Sequence, residues 1–183
     1  MHADLNDLHE RYQKTCELWS DRRVEIIDGR IVVRELPTIK HSDVVYYLMM
    51  QLVPILAERS WKLYMETSLF LSTQMDRYQP DLIVIPDPPR LWDSNHIHAD
   101  CTLLVTEVVS PSSENDDHVV KPARYSAAGV PLYLVIDPRQ GQARLLSHPS
   151  SVGYTHETKV RLGEALRLPK PFDLTLETDV FQE

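Results

Sequence analysis

The order of apolar segments predicts a single domain of the α/β (α+β) class, with a mixed β-sheet flanked by helices. A chain of 183 residues that is 43% hydrophobic is long enough to build one sizeable core. Segments with helical spacing are interspersed with short runs typical of strands, and no internal repeat is present. We divide the chain into an N-terminal helical extension at 1–21, a core domain at 22–170 and a C-terminal tail at 171–183.

The N-terminal third predicts a helix, a hairpin and a second helix. Apolar residues of segment 1–20 are compatible with a short helix that covers the domain edge: Leu5, Leu8, Tyr12, Leu18 and Trp19. The apolar run 24–33 is interrupted by Asp28-Gly29, the dipeptide that favours a two-residue hairpin turn. Residues 41–58 have helical periodicity, with Ser42 as the predicted N-cap and Pro54 as a predicted kink or end.

The rest of the chain predicts mainly strands. Apolar runs occur at about 61–66, 68–72, 80–85 and 102–109, and a proline-rich loop at 86–101 separates the last two. Turn and capping residues at 110–117 lead into a short helix that ends at Gly129, a favourable residue after a helix. Further strands are predicted at 131–137, 141–148, 154–162 and 166–168, the last three as a meander.

Two strands each carry one carboxylate in a position where burial is expected. Asp81 and Glu107 lie among Ile, Val and Leu, where an uncompensated charge is costly to desolvate. If these strands pair antiparallel around a symmetric loop, Asp81 lies opposite residue 106, next to Glu107. Two carboxylates so close favour a shared hard cation such as Mg²⁺, which prefers oxygen ligands.

Charge and cysteine content restrict the class of protein. The net charge of −8 and the pI near 5.4 argue against high-affinity, non-specific nucleic-acid binding, but acidic metal ligands in a nuclease would contribute to that charge. Cys16 and Cys101 lack zinc or redox spacing, so we expect free thiols in a reducing cytoplasm. We expect no signal peptide at the polar N-terminus and no membrane span, since no apolar run approaches ~18 residues.

Several short motifs, in this order, resemble those of a known family. They are Pro80-Asp81, Glu107-Val-Val-Ser-Pro-Ser112, Lys121-x-x-x-Tyr125, Gly129-Val-Pro131 and Leu134-Val-Ile-Asp-Pro138, with Glu25-Ile-Ile-Asp-Gly29 and His41 before them. Together they resemble the Uma-two family, which is grouped with restriction endonucleases in the PD-(D/E)xK nuclease superfamily. The similarity extends from about residue 22 to 170.

The resemblance implies a restriction-endonuclease-like core in which Asp81 and Glu107 bind Mg²⁺. The superfamily pattern places a lysine two residues after the glutamate, but this chain has Val109 there. Lys121 is the natural replacement, in the first turn of a helix that begins shortly before Pro122. We therefore assign Asp81, Glu107 and Lys121 as catalytic residues. Glu25 and His41 are possible cleft-lining residues.

Each of these residues also has a structural interpretation. Asp81 and Glu107 could be a structural pair bound to backbone N–H groups or an arginine. Lys121 could form only an i,i+4 ion pair with Asp117 on a solvated helix face. Glu25 could lie on the wet face of the hairpin, and His41, at the start of a helix, suits either a bound phosphate or a structural role. Capping explains Ser110 and Ser112. His96 and His98 are a weakly supported metal pair, and the helical spacing of Tyr125 from Lys121 is more typical of a core residue.

We predict a nuclease that uses Mg²⁺ or Mn²⁺ to hydrolyse phosphodiester bonds of nucleic acid, preferably DNA, as a cytoplasmic homodimer. Two further functions stay open: a catalytically silent binding or assembly module with the nuclease fold, and a metal-dependent hydrolase of a small phosphoester. A basic stripe beside the site would favour nucleic acid, whereas a closed pocket would favour a small substrate. The candidate residues for that stripe are Arg22, Arg23, Arg30, Lys40 and Arg124.

Overall fold

A computed structural model describes residues 2–73 and 75–182. Its α-helices are α1 (His2–Leu18), α2 (Ile39–Arg59) and α3 (Lys121–Ala127). Its strands are β1 (Arg23–Ile27), β2 (Arg30–Arg34), β3 (Trp61–Met65), β4 (Ser68–Leu71), β5 (Asp76–Tyr78), β6 (Leu82–Pro86), β7 (His96–His98), β8 (Leu104–Val108), β9 (Leu132–Asp137), β10 (Gln142–Ser150), β11 (Gly153–Arg161), β12 (Leu166–Leu168) and β13 (Leu174–Leu176).

The strands form a mixed α+β architecture, as predicted. A six-stranded sheet has the order β11-β10-β9-β8-β6-β3, in which β8 and β9 are parallel and the other pairs are antiparallel. A five-stranded sheet has the order β2-β1-β5-β4-β7, in which β4 and β7 are parallel. The third predicted meander strand, β12, instead pairs with β13 in a separate two-stranded sheet.

The N-terminal hairpin forms at the predicted turn. Asp28 and Gly29 both have positive φ (52° and 72°), a conformation that Gly adopts readily and Asp tolerates. Their backbone N–H groups donate to the buried carboxylate of Asp76, at 2.9 and 3.2 Å. Asp76 therefore holds the turn of the hairpin against β5.

Helix α2 forms close to its predicted bounds, but its N-cap differs and Pro54 does not end it. Its N-cap is Thr38 rather than Ser42, because the Thr38 hydroxyl accepts from the backbone N–H of His41 at 3.2 Å. Pro54 does not end the helix, which continues to Arg59. The buried side chains of Leu48, Leu52 and Leu56 lie on either side of this proline, and their packing stabilises the helix despite one missing hydrogen bond.

Both faces of the six-stranded sheet are covered by apolar side chains. Leu82, Val84, Leu104 and Val108 belong to the cluster that includes the buried face of α2. That cluster also contains C-terminal residues, among them Phe172, Leu176 and Phe181. The opposite face carries Ile83, Ile85, Val105 and Val109, together with Tyr125 of α3.

The loop predicted at 86–101 is partly regular. His96–His98 forms β7, which pairs in parallel with β4, and a short 3₁₀ turn covers Ala99–Cys101. Sequence reasoning missed β7 because its partner lies far away in the chain. Within the described part of the chain, no helix combines the length and apolar character needed to cross a membrane.

Candidate active site

A cleft of about 860 Å³ opens beside the ends of β6 and β8. One wall is the start of α2 with the preceding segment 34–38, and the other is the turn at 110–113 with Pro138 and Arg139. Val180, Phe181 and Gln182 also line it. Asp81, Glu107, Asp117 and Lys121 form its floor, and these four side chains are almost completely buried.

Strand pairing explains why Asp81 and Glu107 meet. Leu82 pairs with Thr106 in the antiparallel β6–β8 ladder, so continuing the register places residue 107 opposite Asp81. The prediction of residue 106 differs from this by one position. Because side chains alternate along a strand, Asp81 shares a sheet face with Ile83, and Glu107 shares that same face with Val105.

The carboxylate of Asp81 is held by three donors. Its Oδ1 accepts from Arg23 Nη2 at 2.8 Å, and its Oδ2 lies 3.1 Å from His41 Nε2 and 2.7 Å from the backbone N of Val108. Burial alone would raise the pKa of Asp81, but the His41 hydrogen bond and the Arg23 charge lower it below its ordinary value. Asp81 is therefore ionised at neutral pH.

Glu107 is less well compensated. Its Oε1 accepts from Lys121 Nζ at 2.8 Å and from the Tyr125 hydroxyl at 3.3 Å. Burial raises the pKa of Glu107 well above its ordinary value, and the Lys121 charge opposes that shift only in part. An additional cation would therefore stabilise the Glu107 carboxylate more than the Asp81 carboxylate.

Lys121 reaches the floor through an irregular helix. A π-helical segment at Asp116–Val120 precedes α3, and Lys121 is the first residue of α3, directly before Pro122 as predicted. Its Nζ lies 2.9 Å from Asp117 Oδ1 and 3.7 Å from Glu25 Oε1, in addition to the Glu107 contact. The i,i+4 pair of the structural interpretation therefore forms, but it is not the only contact of Lys121 and it does not lie on a solvated helix face, because both Asp117 and Lys121 are buried.

The charges around Lys121 keep it protonated. Burial lowers the pKa of Lys121, but the carboxylates of Asp117 and Glu107 outweigh burial and raise it above the ordinary lysine value. Lys121 thus presents a fixed positive charge to the cleft.

Glu25 and His41 occupy different places relative to the cleft. His41 lies in the first turn of α2 and lines the cleft. Glu25 is fully buried behind the floor, so the prediction of a wet hairpin face is wrong. It accepts from Arg34 Nε at 3.0 Å and from the backbone N of Gln79 at 2.9 Å, and it does not itself line the cleft.

Two arginines of the hairpin belong to the site but were not assigned to it. Arg23 and Arg34 pair directly across β1 and β2. Arg23 binds Asp81, whereas Arg34 bridges Glu25 and Asp116, with 2.5 Å between Arg34 Nη2 and Asp116 Oδ2. A weak signal for these residues was present in the sequence, since the two arginines directly flank the apolar run 24–33 of the predicted hairpin.

The weaker sequence candidates lie outside the floor or have structural partners. His96 contacts the carboxylate of Asp93 at 2.8 Å and packs its ring against Trp92. Ser110 bonds the Ser113 hydroxyl within the turn at 110–113, as a capping role predicts. Tyr125 is a core residue, although its hydroxyl also contacts Glu107.

All four arginines of the candidate basic stripe are paired with acidic residues. Arg22 pairs with Asp21, Arg30 with Asp116, and Arg124 with Asp28, in addition to the Arg23–Asp81 pair. Lys40 lines the cleft. Among the described residues, the four arginines of the stripe are therefore each paired with a carboxylate, and the expected basic stripe that would favour nucleic acid is weakened.

The floor suits a divalent cation in its charge and donor atoms. Glu107 and Asp117 share the single ammonium of Lys121, and no other cation contacts either carboxylate within residues 2–73 and 75–182. Asp117 Oδ1 is buried, and its contact with Lys121 Nζ at 2.9 Å is shared with Glu107. Hard carboxylate oxygens with unbalanced negative charge fit Mg²⁺ or Mn²⁺, although no group of three or more His, Cys, Asp or Glu residues is preassembled around one ion position among the described residues.

The comparisons agree with this architecture. The Uma2 family model, described as "Putative restriction endonuclease", matches residues 9–180, which confirms the resemblance recognised in the motifs. A solved structure described as a "putative nuclease belonging to DUF820 from Anabaena variabilis ATCC 29413" matches with a TM-score of 0.69 and 16% identity, covering 86% of this chain and 88% of that chain. At this identity the likeness shows a common fold. No curated protein matches the chain.

Proposed function

Because the chain belongs to the Uma2 family of restriction-endonuclease-like proteins, we propose that it is a metal-dependent nuclease that hydrolyses phosphodiester bonds of DNA. The observation that carries this proposal is the cleft floor, where Glu107 and Asp117 compete for one ammonium group. Buried ionised groups without full compensation are costly, and they are typical of functional sites.

Asp81 and Glu107 would hold Mg²⁺ or Mn²⁺ between the ends of β6 and β8. When bound, the ion would lower the pKa of a water molecule and polarise the scissile phosphate. Arg23, His41 and the backbone of Val108 fix the Asp81 carboxylate, so this ligand is already oriented. Tyr125 and Lys121 perform the same task for one oxygen of Glu107.

The contacts of Lys121 with Glu107 and Asp117, which raise its pKa, support one part for it in the reaction. Its neighbouring carboxylates keep the side chain protonated, so it cannot readily remove a proton from water. Its ammonium would instead stabilise negative charge that develops on the phosphate. This role does not require a lysine at position 109, where Val109 is buried in the core.

The test is cleavage of circular DNA with Mg²⁺ or Mn²⁺. Supercoiled plasmid and circular single-stranded DNA should both be offered, with Asp81→Ala as the inactive variant and Glu157→Gln as the matched control. Glu157 is a partly exposed carboxylate outside the cleft that pairs with Arg144. Metal-dependent cleavage by the wild type and Glu157→Gln but not by Asp81→Ala supports the proposal.

A catalytically silent module with this fold is the second candidate. It is favoured by one observation, namely that Arg23 and His41 already contact both oxygens of Asp81. In that case these contacts would fully satisfy Asp81 and leave it unavailable to an ion. Absence of cleavage by the wild type on both forms of DNA, with either metal, would favour this candidate.

We further propose a homodimer, because closed two-fold pairs are by far the commonest oligomers. Light scattering at micromolar concentration should report twice the chain mass of 21.2 kDa. A monomer at that concentration would contradict it.

A further inference from the structure

We propose that the cleft binds single-stranded rather than duplex nucleic acid, and that Tyr47 of α2 is the platform on which one base stacks. The proposal rests on the proposed function insofar as the substrate is nucleic acid. It adds the strandedness of the substrate and a residue that determines it.

The depth of the floor is the first argument. The side chains of Asp81, Glu107 and Lys121 are only 1–2% exposed and form the floor of the cleft. A duplex keeps its phosphates on the outside of a wide, stiff cylinder, which cannot enter a cleft of about 860 Å³. A single strand is flexible and can bring one phosphate down to the floor while its bases lie along the walls.

The charge around the mouth is the second argument. Duplex DNA carries one negative charge per ~1.7 Å of helix axis, and proteins bind it by neutralising several phosphates with Lys and Arg. Here the arginines that line the cleft are each paired with a carboxylate: Arg23 with Asp81, Arg34 with Glu25 and Asp116, and Arg139 with Glu114. The net charge of −8 adds a repulsion that grows with the number of phosphates brought close.

The chemistry of the walls is the third argument. Apolar surfaces line much of the cleft above the charged floor, including Leu36, Pro37, Pro111 and Val180. Among them, Tyr47 offers an aromatic ring that is 43% exposed. Base stacking on an aromatic side chain tolerates any sequence and is how proteins hold single strands without a strong basic groove.

The adjacent tyrosine provides a matched control. Tyr46 is 50% exposed and touches Tyr47 edge to face at 5.5 Å between ring centroids, yet it does not line the cleft. Replacing either ring by leucine keeps an apolar side chain on the helix and removes the aromatic ring together with its hydroxyl, which Tyr47→Phe removes alone. The pair Tyr47→Leu and Tyr46→Leu therefore separates a base platform from a generally sticky helix face.

The experiment measures binding of a short fluorescein-labelled DNA strand, and of the same strand in a blunt duplex, by fluorescence anisotropy in Ca²⁺. We expect the wild type to bind the single strand at least about tenfold more tightly. Tyr47→Leu should weaken single-strand binding at least about fivefold, whereas Tyr47→Phe and Tyr46→Leu should stay within about twofold of the wild type.

Equal or tighter binding of the duplex would overturn the proposal, as would equal losses in the two leucine variants. Cleavage is scored separately on the same substrates with Mg²⁺. Tyr47-dependent single-strand binding without any cleavage would contradict the nuclease function and support this inference. Duplex cleavage that is indifferent to Tyr47 would contradict the inference and leave the nuclease function in place.

Discussion

Lys121 and Arg77 are both buried cations, and their surroundings are opposite. Lys121 is enclosed by the carboxylates of Glu25, Glu107 and Asp117. Arg77, which is 4% exposed, is enclosed by aromatic rings at 5.1–5.9 Å: Tyr12, Phe70 and Trp92. Burial lowers the pKa of Arg77, whereas the carboxylates overcome burial and raise the pKa of Lys121.

The difference separates a packing site from a chemical one. Arg77 is stabilised by the faces of rings and by His9 Nδ1 at 3.0 Å, and it ties α1 to the five-stranded sheet. Lys121 is surrounded by more negative charge than it can neutralise, at the floor of a cleft. The burial of a cation alone therefore does not indicate a functional site, whereas an excess of negative charge around that cation does.

The largest expected effect is that of Lys121→Met. The change leaves Glu107 and Asp117 buried without a counter-charge, which should cost about 3–5 kcal/mol of unfolding free energy. Urea denaturation measures it, and cleavage should also be lost. Lys62→Met, which removes an exposed lysine paired with Asp87, should leave stability unchanged. A loss for Lys121→Met below about 1 kcal/mol would mean that the cluster is not strained by charge.

The next effect is stabilisation by metal. An ion that binds only the folded protein should add about 2.7 kcal/mol at a hundred times its Kd, which a thermal melt detects as a higher Tm. The gain should vanish in Glu107→Gln and persist in Arg77→Met. If all three proteins gained equally, the ion would be binding elsewhere.

A smaller effect is expected for Arg77→Met. Methionine fills most of the space between the rings, and the lost cation–π contacts of a desolvated arginine are worth about 2 kcal/mol at most. Cleavage and the response to Mg²⁺ should not change. If Arg77→Met is folded at the assay temperature and still cleaves less DNA, Arg77 is not merely a packing residue and its distinction from Lys121 fails.

The smallest effect concerns the pH response of the aromatic region. Burial lowers the pKa of His96, and Asp93 opposes the shift only in part, with the charge of Arg77 also disfavouring protonation. The folded protein therefore binds this proton less readily than the unfolded chain does. The stability contributed by neutral His96 is complete above its ordinary pKa of about 6.5 and decreases as the pH falls below that value.

His96→Phe tests this sign. Unfolding free energies at pH 7.5 and 5.5 should differ less in the variant than in the wild type. If His96 instead made the wild-type protein more stable at pH 5.5 than at pH 7.5, protonated His96 would require a partner other than Asp93.

Local signals in the sequence account for much of the fold. The Asp28-Gly29 turn and the helical periodicity of α2 depend on neighbours in the chain, and both elements formed where predicted. Strand β7 depends on its contact with the distant β4, and the strands β12 and β13 have only three residues each, too few to show a periodicity. The Thr38 cap was missed because Ser42 offered an equally plausible side chain inside the first turn.

The candidate site was predictable in its carboxylates and not in their partners. Asp81 and Glu107 stand out because they interrupt apolar strands, and the register estimate was one residue from the observed ladder. Arg23 reaches Asp81, and Arg34 reaches Asp116, only through the packing of the hairpin against the rest of the fold. The burial of Asp117 and Lys121 depends on the π-helical turn, which has no simple sequence pattern.

Mn²⁺ binding, measured by electron paramagnetic resonance, tests most directly whether the carboxylates of the cleft floor carry more negative charge than Lys121 neutralises. The wild type should bind one ion, Asp81→Asn and Glu107→Gln should bind none, and Asp76→Asn should bind one. Asp76 is the suitable control because it is an equally buried carboxylate that holds only the hairpin turn and Tyr78. Mn²⁺ binding that is absent from the wild type, or equal in all four proteins, would contradict the account.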